Sequence, residues 1–214
     1  MLTNESAEST ECPPNEGCSA EFCCQVLSTQ SPRSRNVDST QETERSATHC
    51  LLSILGFSQG KPELAASKIL EIVARSFAVP LALLWVPDSG AVAIRCWQFW
   101  TENDPASAGL AEELSHIDLW PVEALPGRVW AQGRGEILNE VASDRHLGRA
   151  TLFPKSGIRS AIAIPARTAS GTLCVLELLS REPFAFQSVS ALQMNTLSDA
   201  LGVLFRHAPL TDRV

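Results

Sequence analysis

The apolar residues of this chain fall into short runs broken by turn residues, with two helical stripes near the ends of the patterned region. "KPELAASKILEIVARSF" (61–77) opens it, with Pro62 near a helix start and Ile69, Ile72, Val73 and Phe77 along one face. "LALLWV" (81–86) is a predicted strand, "PDSG" supplies turn chemistry, and "AVAIRCWQFW" (91–100) is the return strand. Residues 101–124 are polar, spotted with aromatics and without clear periodicity. "LPGRVWAQGRG" (125–135) reads as a short helix closed by glycine, "EILNEV" (136–141) as a short strand, and 142–157 as loop plus helix. "RSAIAIPAR" (159–167) and "GTLCVLELLS" (171–180) form a hairpin around "TAS". Residues 186–207 read as a closing helix, with Val189, Leu197, Leu201, Leu204 and Phe205 on its core stripe.

Two hairpins between terminal helices predict an α+β domain. Its antiparallel sheet carries the two helices on one face, with 101–157 as an irregular crossover between the hairpins. The near-continuous apolar run at 171–180 predicts a strand buried on both faces. Alternation puts Leu173, Val175, Glu177 and Leu179 on one side and Cys174, Leu176 and Leu178 on the other. A buried Glu177 needs a donor, with Arg159 or a backbone N–H as candidates. Cys174 reads first as a small core hydrophobe, and only secondarily as a site of modification by a ligand.

Residues 1–48 lack this patterning and are expected to form a disordered acidic tail. They hold eight acids (Glu5, Glu8, Glu11, Glu16, Glu21, Asp38, Glu42 and Glu44) against three bases (Arg33, Arg35 and Arg45), most of the chain's net −7. Residues 49–59 form a short apolar connector, 60–208 the domain, and 209–214 a C-terminal tail. The acidic balance argues against nucleic acid as a partner. No apolar run reaches membrane-spanning length, and the N-terminus lacks a secretory pattern, so a cytoplasmic, reducing setting without a membrane partner is expected. The seven cysteines are then thiols rather than a disulfide framework. Cys12, Cys18, Cys23 and Cys24 could hold metal or act as a redox switch, but a C-x5-C-x4-CC spacing fits no common metal rule.

Candidate chemistry concentrates around the crossover. Arg95, Trp97, Trp100, His116, Trp120, Arg128, Trp130, Asp144, Arg145 and Arg149 offer an aromatic wall with convergent polar groups, suited to a small anion or carboxylate; His146 lies among them. The alternative is that the tryptophans are core or interface and the charges a solvated loop. Arg95, Trp97 and Phe99 alternate with Ile94, Cys96 and Gln98, and the bulkier set is placed toward the crossover.

Two blocks resemble the GAF domain family over about residues 60–207. "ALPGRVWAQGRGEILNEVASD" (124–144) is similar to its Leu-Pro-Gly segment leading through a short helix and turn to a strand and an Asp-containing loop. "GIRSAIAIPARTASGTLCVLELLSREPFAF" (157–186) is similar to its paired central strands. The resemblance implies a sheet flanked by helices, with the crossover covering the other face over a small-molecule pocket, and a regulatory role usually attached to a kinase, phosphodiesterase, cyclase or transcription module; with no nucleophile constellation in the sequence, an enzyme is not expected. The output would lie on another protein, a histidine kinase or transcription regulator, and helices 62–77 and 186–207 would pair two copies into a homodimer. A structural dimerisation module with a filled pocket is the rival. Some GAF-like proteins reduce free methionine sulfoxide with several crossover cysteines, whereas 101–157 holds none here. The Asn-Lys-X-Asp pattern of cyclic-nucleotide binders is missing, and no cysteine neighbours His116 or His146 as bilin attachment would need. The ligand is left open, with bilin, haem and metal not expected as cofactors.

Overall fold

The computed structural model describes residues 62–144 and 152–206. Helix α1 (Pro62–Ser76) leads into a hairpin of β1 (Leu81–Pro87) and β2 (Ile94–Thr101). The crossover follows as α2 (Pro105–Ser115), β3 (Asp118–Leu119), α3 (Ala124–Gln132), β4 (Glu136–Leu138), a 3₁₀ turn (Val141–Ser143) and α4 (Phe153–Ser156). A second hairpin, β5 (Ser160–Thr168) and β6 (Gly171–Ser180), precedes α5 (Ala191–Phe205). The strands form one antiparallel sheet in the order β3-β2-β1-β6-β5-β4. Both hairpins therefore lie in a single layer, joined where β1 pairs with β6.

Two apolar clusters sandwich the sheet. One unites Ile69, Leu70 and Val73 of α1 and Leu201, Leu204 and Phe205 of α5 with Leu84, Ile162, Leu176 and Leu178. The other unites Leu110 and Leu114 of α2, Leu125 and Val129 of α3 and Phe153 with Leu83, Trp85, Val175 and Leu179. β6 feeds both, which is why its sequence is apolar almost without break.

Three elements differ from the sequence reading. The segment 101–124 contains α2, which buries only a narrow stripe and so shows little periodicity. Its start is signalled by Asp104-Pro105: the Asp104 side chain accepts from the N–H groups of Ala106 and Ser107, and Pro105 occupies the first turn. The closing helix begins at Ala191 rather than 186, set by a capping box. Gln193 N–H donates to Ser190 Oγ at 3.1 Å, and Ser190 N–H donates to Gln193 Oε1 at 2.9 Å. The strand expected over 136–141 pairs only over Glu136–Leu138.

Each hairpin carries a β-bulge, and in each the side-chain faces differ from those predicted. In the β1–β2 ladder Leu84 pairs with Gln98 but Trp85 pairs with Cys96, leaving Trp97 as the extra residue. Ile94 and Cys96 face the crossover cluster, while Trp97 lies in the terminal-helix cluster, opposite to the face expected of it. That cluster also contains the small residues Ala66, Ala74, Ala82 and Ala200. In the β5–β6 ladder Ala166 pairs with Cys174 and Arg167 with Thr172, so Leu173 is the extra residue. It packs on the same cluster as Cys174 rather than opposite it.

Glu177 has a side-chain partner that the sequence reading did not name. It is fully buried, and the Trp85 indole N–H donates to its Oε2 at 2.9 Å. Arg159 instead donates from Nη2 to Glu140 Oε2 at 2.7 Å.

Candidate functional site

The candidate residues separate into several environments. Arg95 projects from the start of β2 and is held by a fork on β3: its Nε donates to Asp118 Oδ1 at 2.6 Å and its Nη2 to Oδ2 at 3.3 Å. His116 caps α2 in an exposed position, with Nδ1 2.8 Å from the Glu112 carbonyl oxygen. Arg95, Trp97 and His116 border one open hollow of about 680 Å3 between β2 and α2, together with Cys96, Phe99 and Glu112. Sequence reasoning grouped Phe99 with Arg95 and Trp97 but missed Glu112, because α2 was not recognised, and Cys96, because the bulkier set was turned toward the crossover.

Trp100 leaves this group for the helix side of the sheet, where the Arg75 guanidinium sits 5.7 Å from its ring centroid. Trp120 is 56% exposed on the turn after β3. Trp130 is half-buried against the crossover cluster.

Arg128 and Asp144 come together with Glu136, which the sequence did not single out. Arg128 Nη2 donates to Glu136 Oε1 at 2.8 Å and to Asp144 Oδ2 at 2.7 Å, tying α3 to β4 and to the end of the 3₁₀ turn. Burial disfavours the charged guanidinium, but hydrogen bonds and charge from Glu136 and Asp144 outweigh it and raise its pKa further. Its Nη1 is buried without a hydrogen-bond partner among the described residues. Arg145, His146 and Arg149 lie outside the described residues, as do Cys12, Cys18, Cys23 and Cys24.

The described thiols face opposite ways. Cys96 is half-buried at the hollow, and its Sγ lies 3.6 Å from the Gln98 carbonyl oxygen. Cys174 is fully buried in the terminal-helix cluster, where desolvation pushes its pKa far above the ordinary thiol range. Among the described residues no group of three or more His, Cys, Asp or Glu side chains could hold a metal ion. No helix among them is long and apolar enough to cross a membrane.

Comparison with known proteins places the architecture. No protein-family profile matches the chain, and no curated protein matches it in sequence. Solved structures do match. The GAF domain of an Acinetobacter phosphoenolpyruvate-protein phosphotransferase superposes with a TM-score of 0.60 at 15% identity, covering 77% of this chain and 94% of that one. A free methionine-R-sulfoxide reductase from Neisseria meningitidis, solved with its substrate, gives 0.61 at 14%, covering 84% and 96%. The GAF domain region of a Geobacter sulfurreducens protein gives 0.56 at 19%, covering 68% and 93%. The domain has the GAF fold: a six-stranded antiparallel sheet between terminal helices and a helical crossover.

Proposed function

We propose that this protein is a regulatory GAF domain that binds a small molecule and acts through a separate output protein, a kinase or transcription regulator. The observation that carries this reading is the hollow of about 680 Å3 between β2 and α2, flanked by Arg95, Trp97 and His116. Its volume lies in the range of small-molecule sites, and its wall mixes apolar surface with a few polar groups. A ligand there touches a strand of the central sheet and the last turn of α2 together. Binding would bias their relative position, and a coupling of about 1–3 kcal/mol suffices to change a partner's state. Exposed Leu64 on α1 and Leu192 and Val203 on α5 support pairing of two copies through the terminal helices.

The same fold hosts a reductase, as the Neisseria protein shows. Among the described residues the two thiols, Cys96 and Cys174, pack against clusters on opposite faces of the sheet and do not form a thiol pair, which supports the regulatory reading. A second reading, a ligand-free interaction module, draws on the crossover cluster, which fills the space above β1, β5 and β6 with buried side chains.

Thermal unfolding against a panel of small metabolites decides between the two. A ligand at 100 times its dissociation constant adds about 2.7 kcal/mol of stability. Stabilisation that disappears in Arg95→Ala supports the receptor. A panel without effect on the folded full-length chain supports the interaction module.

A further inference from the structure

One edge of the domain combines exposed apolar side chains, a strained backbone and one sign of charge. β3 is the outermost strand, and it pairs with β2 only through Ile94–Leu119 and Arg95–Asp118. This antiparallel register brings the turn before β2 beside the turn after β3. The two turns carry Val92, 49% exposed, and Trp120 and Val122, 56% and 63% exposed. Large apolar side chains left in water together at one corner mark an interaction surface more often than chance does.

The corner is also rigid. Ala91, Val122 and Ala124 have φ of 49°, 65° and 51°, left-handed values that cost energy in residues with a Cβ, most of all in β-branched valine. The 120–123 turn is closed by Glu123 N–H donating to the Trp120 carbonyl at 3.0 Å and by Trp120 N–H donating to Glu123 Oε2 at 3.2 Å. The start of α3 presses on it so closely that a Cβ at Gly127 would lie 2.4 Å from the Trp120 carbonyl oxygen. An exposed indole on a locked turn loses little conformational freedom when it is covered, which suits a binding anchor.

Charge identifies what would cover it. Residues 87–127 hold seven carboxylates and one base, Arg95. Asp118 neutralises Arg95, leaving Asp88, Glu112, Glu113 and Glu123 around the corner. A second copy docked there through the same surface would oppose like charges. The chain's own residues 1–48, with eight acids and three bases, are repelled as well.

We propose that the corner formed by the β1–β2 turn, the last turn of α2 and the β3–α3 turn is a docking surface for a basic, amphipathic segment of a partner protein. Trp120 and Val122 would meet its apolar side, and Glu112 and Glu113 its cations. The surface meets the hollow at Arg95 and Glu112, but its apolar anchors Trp120 and Val122 do not line the hollow, so Trp120→Ala tests the docking reading apart from the small-molecule one. Either can fail alone.

The test titrates the full chain with a fluorescent amphipathic Leu/Lys peptide and its Leu/Glu counterpart, and maps the contact by hydrogen exchange. The expected result is salt-sensitive binding of the Leu/Lys peptide only, with protection at 88–95 and 112–123. Trp120→Ala and, separately, the Glu112→Lys/Glu113→Lys pair should each weaken it about tenfold without lowering the melting temperature. Val122→Asp is a third probe should Trp120→Ala unfold. Equal binding of both peptides, unchanged binding by the folded variants, or protection elsewhere overturns the proposal. So does a dimer of the chain that dissociates on Trp120→Ala, which would assign the corner to a second copy.

Discussion

The Trp85 indole N–H and the Glu177 carboxylate meet at 2.9 Å inside the sheet, on adjacent strands, with neither residue exposed to solvent. The ladder sets Glu177 opposite Leu83, and Trp85 lies two residues along β1 on the same face. A buried polar group depends on its hydrogen bonds, and removing the indole donor takes one away from the Glu177 side chain. Trp85→Phe should therefore destabilise the domain by about 2 kcal/mol or more in urea unfolding. In a double-mutant cycle with Glu177→Gln the two changes should be coupled by about 1 kcal/mol or more. Strict additivity would mean that the contact contributes nothing specific.

Asp104 predicts a pH signature. Burial opposes its charge, yet hydrogen bonds from Ser107 and the Arg181 guanidinium, whose Nη2 donates at 2.7 Å, together lower its pKa. The ionised form thus favours the fold. Its contribution is complete above the ordinary aspartate value of about 4 and is lost as pH falls through the lowered one. Asp104→Ala should cost about 1–2 kcal/mol at neutral pH, from the helix cap and the Arg181 link together. Chemical denaturation of both proteins at a series of pH values should show the gap narrowing in acid. A constant gap would remove the charge from the account.

Gly202 and Gly109 predict opposite responses to the same change. A Cβ at Gly202 would lie within 2.0 Å of the Arg167 carbonyl oxygen, where α5 crosses the end of β5. One at Gly109 in α2 would meet nothing within 4 Å. Gly202→Ala should cost about 3 kcal/mol by forcing helix and strand apart, and Gly109→Ala should add about 0.5–1 kcal/mol through helix propensity. Melting temperatures that move in the same direction would contradict the packing described.

Cys96 and Cys174 should differ in reactivity. Native-state alkylation read by peptide mass spectrometry should modify Cys96 at the hollow and leave Cys174, fully buried with a raised pKa, until the chain unfolds. A compound bound in the hollow should slow modification of Cys96. Labelling of native Cys174 at a comparable rate would show that the terminal helices open readily.

Much of the fold is readable from the residues alone. The apolar stripes of α1 and α5, both hairpins and the double burial of β6 follow from local periodicity, because each needs only neighbours three, four or two positions away. For the candidate site, three of the residues that the sequence singles out, Arg95, Trp97 and His116, border one hollow. Helix α2 is harder to see, since its buried face is narrow, although the Asp104-Pro105 start was there to be used.

Other features are decided by distant parts of the chain. Leu173 shares a face with Cys174 because β6 bulges where it meets β5, and Trp97 lies under the terminal helices because the packing of β2 turns Ile94 and Cys96 to the crossover; neither choice is visible in the local alternation. Glu177 bonds to Trp85, 92 positions away, because the strand order makes them neighbours. Glu136 joins Arg128 and Asp144 only once β4 takes the sheet edge beside β5. Local pattern settles which residues are buried; the volumes and charges that remain to be matched across strands settle what each buried group touches.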